Sequence, residues 1–189
     1  MGERPILGHY YIPSQMSKEI CDIIVRDFYD ERLLKPSLLH SKNNKFNTEV
    51  RKSNQRWLDK DSWVASMLTH FIRSANIEYY RFNLTDWKDQ IQFTVYEPPD
   101  DHYKWHIDML DTSGFNEIRK LSIVMCLSSK NDYGGGELEL FHPTNKTTSF
   151  KLDAGDVVIF PSIVSHRVKK TTWGRRISLV GWYGGPPFA

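Results

Sequence analysis

The hydrophobic rhythm of the chain changes near residue 90. Before that point the apolar positions follow a helical period. Ile20, Ile23, Ile24 and Phe28 fall on one helical face, with Ser17 placed to cap it. Trp63, Val64, Met67, Leu68, Phe71, Ile72 and Ala75 form a second stripe with two apolar positions per turn, for which Asp61 is the expected cap. Between them, from Lys35 to Lys60, the chain is polar and aperiodic. A loop that long in a compact domain is commonly a functional flap, with room for short strands.

Beyond residue 90 the period falls to two. Strand-like runs extend from Gln90 to Tyr96, Tyr103 to Met109, Lys120 to Leu127, Glu137 to Phe141, Ser149 to Leu152, Val157 to Phe160, Ser165 to Val168 and Ile177 to Tyr183. Turn signals divide them, among them Asp111-Thr112-Ser113-Gly114, Gly134-Gly135-Gly136 and Asp153-Ala154-Gly155-Asp156. Eight short strands so punctuated predict a double-sheet jelly roll, a double-stranded β-helix, supported by the N-terminal helices. The expected class is α+β. One domain is expected over residues 1–189, with 1–89 as helical support and flap and 90–183 as the jelly-roll core.

Composition narrows this only a little. At 189 residues, 40% hydrophobic and 25% charged, the chain has the make-up of a soluble globular domain. A formal net charge of +2 gives no strong general affinity for phosphate. No apolar stretch marks a signal peptide, and no run approaches the roughly 20 apolar residues of a membrane span. The expectation is a cytoplasmic protein with no membrane partner. Cys21 and Cys126 form neither a disulfide framework nor a zinc knuckle.

The chemistry lies in four residues. In a strand, His106 and Asp108 would project from the same face. His166, from a distant strand, would reach them if the sheet curls back on itself. Two imidazoles and one carboxylate occupy three adjacent positions around a metal and leave three open, an arrangement suited to Fe(II) and oxygen. Arg176 and Ser178 share a strand face, so a guanidinium and a hydroxyl would hold one carboxylate together. His102 lies four residues before His106, but a zinc-protease pair needs a helix and an adjacent Glu. His102 therefore reads as a surface residue.

From Gln92 to Tyr183, in the ordered pieces Tyr96-Glu97-Pro98, Tyr103 to Asp108, Leu121 to Ser128, Gly135-Gly136-Glu137-Leu138, Ala154-Gly155-Asp156 and His166 to Arg176, the chain resembles the 2-oxoglutarate- and Fe(II)-dependent dioxygenases, in particular their prolyl 4-hydroxylase-like branch. The resemblance covers about half of the chain. It implies that His106, Asp108 and His166 hold iron and that Arg176 pairs with the distal carboxylate of 2-oxoglutarate. Tyr96 matches a tyrosine that reaches this co-substrate, while Tyr103, Arg119 and Trp182 match positions near the substrate. It further implies decarboxylation of 2-oxoglutarate to succinate and carbon dioxide, O2 as second co-substrate, and ascorbate as reductant. Leu138, Val124 and Trp182 would form the apolar lining. One departure is that Cys126 occupies a place where certain relatives carry a co-substrate tyrosine, for which Ser178 is the available replacement.

The substrate follows less directly. A peptidyl proline is expected by analogy with the branch. A nucleic-acid substrate, contacted through Lys42, Lys45, Arg51, Lys52 and Arg56, is the second enzymatic reading. The third is a non-catalytic jelly-roll binding module that retains a metal, which iron-dependent succinate production would exclude. Two polar segments, Ser41 to Arg56 and Met109 to Ile118 with Gly114 as hinge, are expected to fold over the site.

Overall fold

In the computed structural model, which describes residues 7–37, 47–109 and 116–188, both helical stripes form and turn their apolar side inward. Helix α1 spans Lys18–Phe28 and α2 spans Trp63–Ala75. Ser17 is the N-cap of α1, although its side chain makes no capping bond. The cap of α2 is Ser62 rather than Asp61. Its hydroxyl accepts from the Ala65 amide, three residues on, a reach that Asp61 misses by one position.

The strands exceed the eight runs expected. In chain order they are β1 (Tyr10–Ile12), β2 (Lys35–Pro36), β3 (Arg51–Lys52), β4 (Asn54–Leu58), β5 (Ile91–Tyr96), β6 (His102–His106), β7 (Ile118–Cys126), β8 (Tyr133–Gly135), β9 (Leu138–Phe141), β10 (Thr147–Phe150), β11 (Val157–Pro161), β12 (His166–Val168), β13 (Thr171–Gly174) and β14 (Arg176–Gly185). A seven-stranded sheet has the order β1-β11-β7-β14-β5-β4-β2, and a five-stranded sheet the order β10-β9-β12-β6-β3. β8 and β13 form a separate pair, so the glycine run expected as a turn begins as a strand.

The aperiodic segment between the helices holds the short strands for which it left room. Its described part supplies β3 and β4, which pair with β6 and β5. Such short strands depend on a neighbour's edge rather than on their own pattern. Residues 38–46 and 110–115, the rest of the two expected flaps, lie outside the described residues.

Period-two alternation then assigns each strand two faces. Ile91, Phe93, Val95, Leu121, Ile123, Met125, Val157, Ile159, Ile177 and Leu179 join one core with Cys21, Ile24, Val64, Leu68 and Ile72 of the helices. Each such burial contributes about 1.5–3 kcal/mol, enough together to seat the helices on the large sheet. The opposite face meets the small sheet through Tyr96, Val124, Cys126, Val158 and Phe160, packed with Leu138, Leu140 and Val168. That second face is not purely apolar. Gln92, Thr94, Ser122, Arg176 and Ser178 are buried on it, and Gln92, Arg176 and Ser178 line a cavity between the sheets.

Candidate metal centre and its cavity

The cavity has a volume of about 330 Å³, at the low end for a small-molecule site. His106 ends β6 and His166 opens β12, and the two are direct cross-strand partners. Their ring centroids are 4.1 Å apart. Asp108 arrives differently from the expected pleat. β6 has already ended, and a bend sets the carboxylate beside the histidines, held where the Asp108 and Met109 amides both donate to the Ser162 carbonyl at 2.9 Å. Its Oδ1 lies 3.6 Å from His106 Nε2 and its Oδ2 3.3 Å from His166 Nε2. Ligand atoms from the three residues all fall within 4.8 Å of one another.

The surroundings prepare these groups for a metal. His106 Nδ1 faces the Lys104 carbonyl at 2.8 Å and His166 Nδ1 the Val164 carbonyl at 3.0 Å, which leaves both Nε2 atoms for a cation. Ser122 Oγ donates to Asp108 Oδ2 at 2.8 Å and is itself bonded to Ser162 Oγ. Burial pushes the His106 pKa down, the adjacent His166 lowers it further, and it falls to about 3. Burial opposes ionisation of Asp108, but the two imidazoles outweigh it and hold the carboxyl well below its usual range. For His166 burial also lowers the pKa, and the charge and hydrogen bond of Asp108 reverse this and leave it raised. A neutral imidazole and an ionised carboxylate are the forms in which these groups bind metals. The set, two nitrogens and one oxygen with a cavity on the open side, fits Fe(II).

Arg176 is the other pole of the cavity. It is 1% exposed and pairs across the sheet with Tyr96, whose ring lies 5.5 Å from the guanidinium carbon. Nη1 donates to Ser178 Oγ at 3.2 Å, whereas Nε and Nη2 are buried without a hydrogen-bond partner. A buried guanidinium with two orphaned donors calls for a carboxylate. Ser178 lines the cavity beside it. Cys126, opposite Ser178 in the sheet, instead directs its thiol at the carbonyls of Ser128, Leu152 and Ile177.

The remaining expected residues fall in mixed positions. Tyr103 stacks on His106 with centroids 3.5 Å apart. Trp182, Val124 and Leu138 line the cavity. Arg119 lines it too, but its guanidinium is bound to Asp89 at 2.6 Å, reaches the Asp108 carbonyl and lies over the Trp182 ring. His102 is not a surface residue: it is buried, with ring nitrogens against the Asp100 and Glu49 carbonyls. Of the basic cluster considered for nucleic acid, Lys42 and Lys45 lie outside the described residues. Arg51 points into the cavity, Lys52 pairs with Asp100, and Arg56 donates to the Phe28 carbonyl. Gln55, Trp57 and Gln92 are lining residues that the sequence did not mark as site residues, and Arg51, marked there for nucleic acid, lines the cavity instead.

A jelly roll that sets two histidines, a carboxylate and a buried arginine around one cavity defines an oxygenase-type fold and site. Residues 91–184 match the 2OG-Fe(II) oxygenase superfamily. The chain belongs to this superfamily and is similar to its PKHD-type hydroxylases. A PKHD-type hydroxylase of Prochlorococcus marinus strain MIT 9312 is 34% identical over 133 residues, covering 68% of this chain and 58% of the relative. Another, from strain MIT 9515, is 43% identical over 82 residues, covering 43% and 35%. The chain thus matches between about a third and three-fifths of the length of these relatives. Among solved structures, a Pseudomonas putida prolyl-4-hydroxylase superposes with a TM-score of 0.73 at 21% identity, covering 94% of this chain and 92% of that one. A Trichoplax adhaerens prolyl hydroxylase solved with a hypoxia inducible factor peptide gives 0.77 at 19%, covering 93% and 83%. These likenesses establish the shared fold. No helix among the described residues is long and apolar enough to cross a membrane.

Proposed function

We propose that this chain is a 2-oxoglutarate- and Fe(II)-dependent dioxygenase that hydroxylates a prolyl residue of a peptide or protein. The observation that carries the reading is the pairing, in one cavity, of a three-ligand metal centre with a buried arginine whose Nε and Nη2 lack partners. His106, Asp108 and His166 would hold the iron. Bound iron with 2-oxoglutarate and O2 supplies the oxidising power, releasing succinate and carbon dioxide as substrate is hydroxylated.

The chain's own part is binding, orientation and exclusion of water. Arg176 and Ser178 would take the distal carboxylate of 2-oxoglutarate, and Tyr96 would flank its chain. The carbonyls at Lys104 and Val164 fix the imidazole orientations, and Ser122 fixes the carboxylate. Val124, Leu138, Val168 and Val180 give the cavity an apolar wall, which limits the water able to divert the reaction. The PKHD-type relatives and prolyl hydroxylase neighbours favour a peptidyl proline as substrate.

The test is a proline-containing peptide library incubated with protein, Fe(II), ascorbate and 2-oxoglutarate, scored for a one-oxygen mass gain and for succinate. Stoichiometric hydroxyproline and succinate are expected. Succinate without oxidised peptide would refute the proline assignment, and no succinate with or without peptide would refute the enzymatic one.

A further inference from the structure

Arg51 has the same peculiarity as Arg176. It is 8% exposed and lines the cavity, yet among the described residues it has no carboxylate partner. Its Nε donates to Ser53 Oγ at 3.1 Å and its Nη2 to Gln92 Oε1 at 2.7 Å, both neutral acceptors. The Thr94 hydroxyl donates to the same Gln92 oxygen and fixes it. The guanidinium carbon lies 4.6 Å from the centroid of Tyr103, whose ring also stacks on His106. Tyr103 thus contacts both the guanidinium and the imidazole of a candidate metal ligand. A cation held so rigidly, so deep and without a counter-charge is costly unless a ligand supplies the charge.

The other charges of the cavity leave Arg51 as the one to be answered. Arg119 is matched by Asp89, and Asp108 faces the metal position. Arg176 is assigned to the co-substrate. Gln55 lines the same cavity and has a buried Oε1 with no donor, and Trp57, on the same face of β4, also lines it, 6.2 Å from Trp182. An unmatched cation and an unmatched acceptor lining one cavity fit a carboxylate adjoining an N–H, the pairing that an acidic residue in a peptide presents.

The geometry points to a second carboxylate-binding subsite, formed by Arg51 with Gln55, that selects peptides carrying an acidic side chain close to the oxidised residue. The two stacking steps place the guanidinium within about one or two residues' reach of the metal centre. A peptide's C-terminal carboxylate offers the same chemistry, and the arms of the experiment separate the two. The inference rests on the peptide-hydroxylase reading, and it deepens that reading by stating the substrate's charge.

The test uses protein loaded with Mn(II) and 2-oxoglutarate, which binds substrate without turnover. N-acetylated proline tetrapeptides carry Asp or Asn at one or two positions on either side of the proline, each as C-terminal acid and amide. Binding is followed by tryptophan fluorescence or calorimetry, and the Fe(II) enzyme is assayed for peptide oxidation in parallel. The expected result is an Asp peptide bound on the order of 10- to 100-fold more tightly than its Asn counterpart, in the amide series as well as the acid series. In Arg51→Gln this ratio falls to within threefold of one. Arg51→Lys, which keeps the charge but loses the planar stack, retains part of it, and decides the matter should Arg51→Gln fail to give a cooperative thermal melt. A preference confined to C-terminal acids replaces the side-chain assignment with a terminal one and overturns the proposal as stated. Equal binding of Asp and Asn peptides, or a preference that survives Arg51→Gln, overturns the subsite even if the peptides are hydroxylated. An Arg51-dependent preference with no oxidation of any peptide upholds the subsite and refutes the hydroxylase reading instead.

Discussion

Replacing Arg176 with methionine should move two properties in opposite directions. The free protein holds this guanidinium at 1% exposure, with a single hydrogen bond to Ser178 and two nitrogens orphaned. On the proposed reading, those two nitrogens acquire charge-assisted hydrogen bonds when 2-oxoglutarate binds, each contributing about 1.5–3 kcal/mol. Arg176→Met should therefore weaken 2-oxoglutarate by roughly 3–6 kcal/mol, about two to four orders of magnitude in Kd. The ligand-free protein loses a buried charge that had no partner and keeps the volume of the side-chain stem. Relief of part of that several-kcal/mol penalty should raise its stability by roughly 1–3 kcal/mol, or about 2–12 °C in Tm for a chain of this size. Thermal melts with Mn(II), with and without 2-oxoglutarate, read both effects. The wild type should melt higher with ligand and the variant should not, because a ligand stabilises only the state it binds. A Kd within threefold of wild type would remove Arg176 from the co-substrate site. A ligand-free Tm several degrees below wild type would show that the guanidinium is stabilised by its surroundings, and the argument from orphaned donors would fail.

Three further perturbations probe the same architecture. Gly136 has a φ of +66°, and a Cβ there would come within 2.9 Å of Arg176 Cδ. Gly136→Ala should displace that stem and weaken 2-oxoglutarate about tenfold with the arginine itself intact, besides destabilising the fold by about 1–2 kcal/mol through left-handed strain; calorimetric titration showing wild-type affinity would contradict this. Ser122→Ala removes a donor to Asp108 and should lower metal affinity by about 10- to 100-fold, the usual effect of losing a group that orients a ligand, as measured by chelator competition. An unchanged metal Kd would show that the two Ser162 backbone contacts suffice. In metal-free protein, acidification from pH 6.5 toward 3 should reduce stability, because the unfolded chain protonates His106 near its ordinary pKa while burial keeps the folded form neutral down to about 3. Raised His166 acts in the opposite sense and in another window, contributing stability below its ordinary pKa that is lost as pH rises through its folded value. Urea titrations at pH 7 and 5 should show the decline in wild type and a shallower one in His106→Gln; parallel slopes would dismiss His106 as its source.

The local patterns carried a great deal. Alternation from Gln90 to Tyr96 and the strand-like run from Ile177 to Tyr183 predict strands, and the helical stripes on Ile24 and Leu68 predict helices that support them. Both are short-range properties, because side-chain direction follows directly from a period of two or 3.6. The order Tyr96, His106, Asp108, His166, Arg176 was likewise readable, since residue type limits which groups suit a metal or a carboxylate. What alternation cannot state is what lies across each face. Asp108 reaches the histidines because β6 ends at His106 and the Ser162 carbonyl captures the next turn, an event set by a strand remote in sequence. His102 is buried because the Glu49 carbonyl meets it from the adjoining segment. Arg51 and Gln55 sit in a stretch with no periodicity, and pairing of β3 with β6 and of β4 with β5 alone turns them into the cavity. The chain by itself therefore marked the two helices, the main core strands and the residue types suited to a metal and a carboxylate, each encoded in one residue and its immediate neighbours. Only the closing of the two sheets decided which polar side chains lost water and partners together, and hence which of them await a substrate.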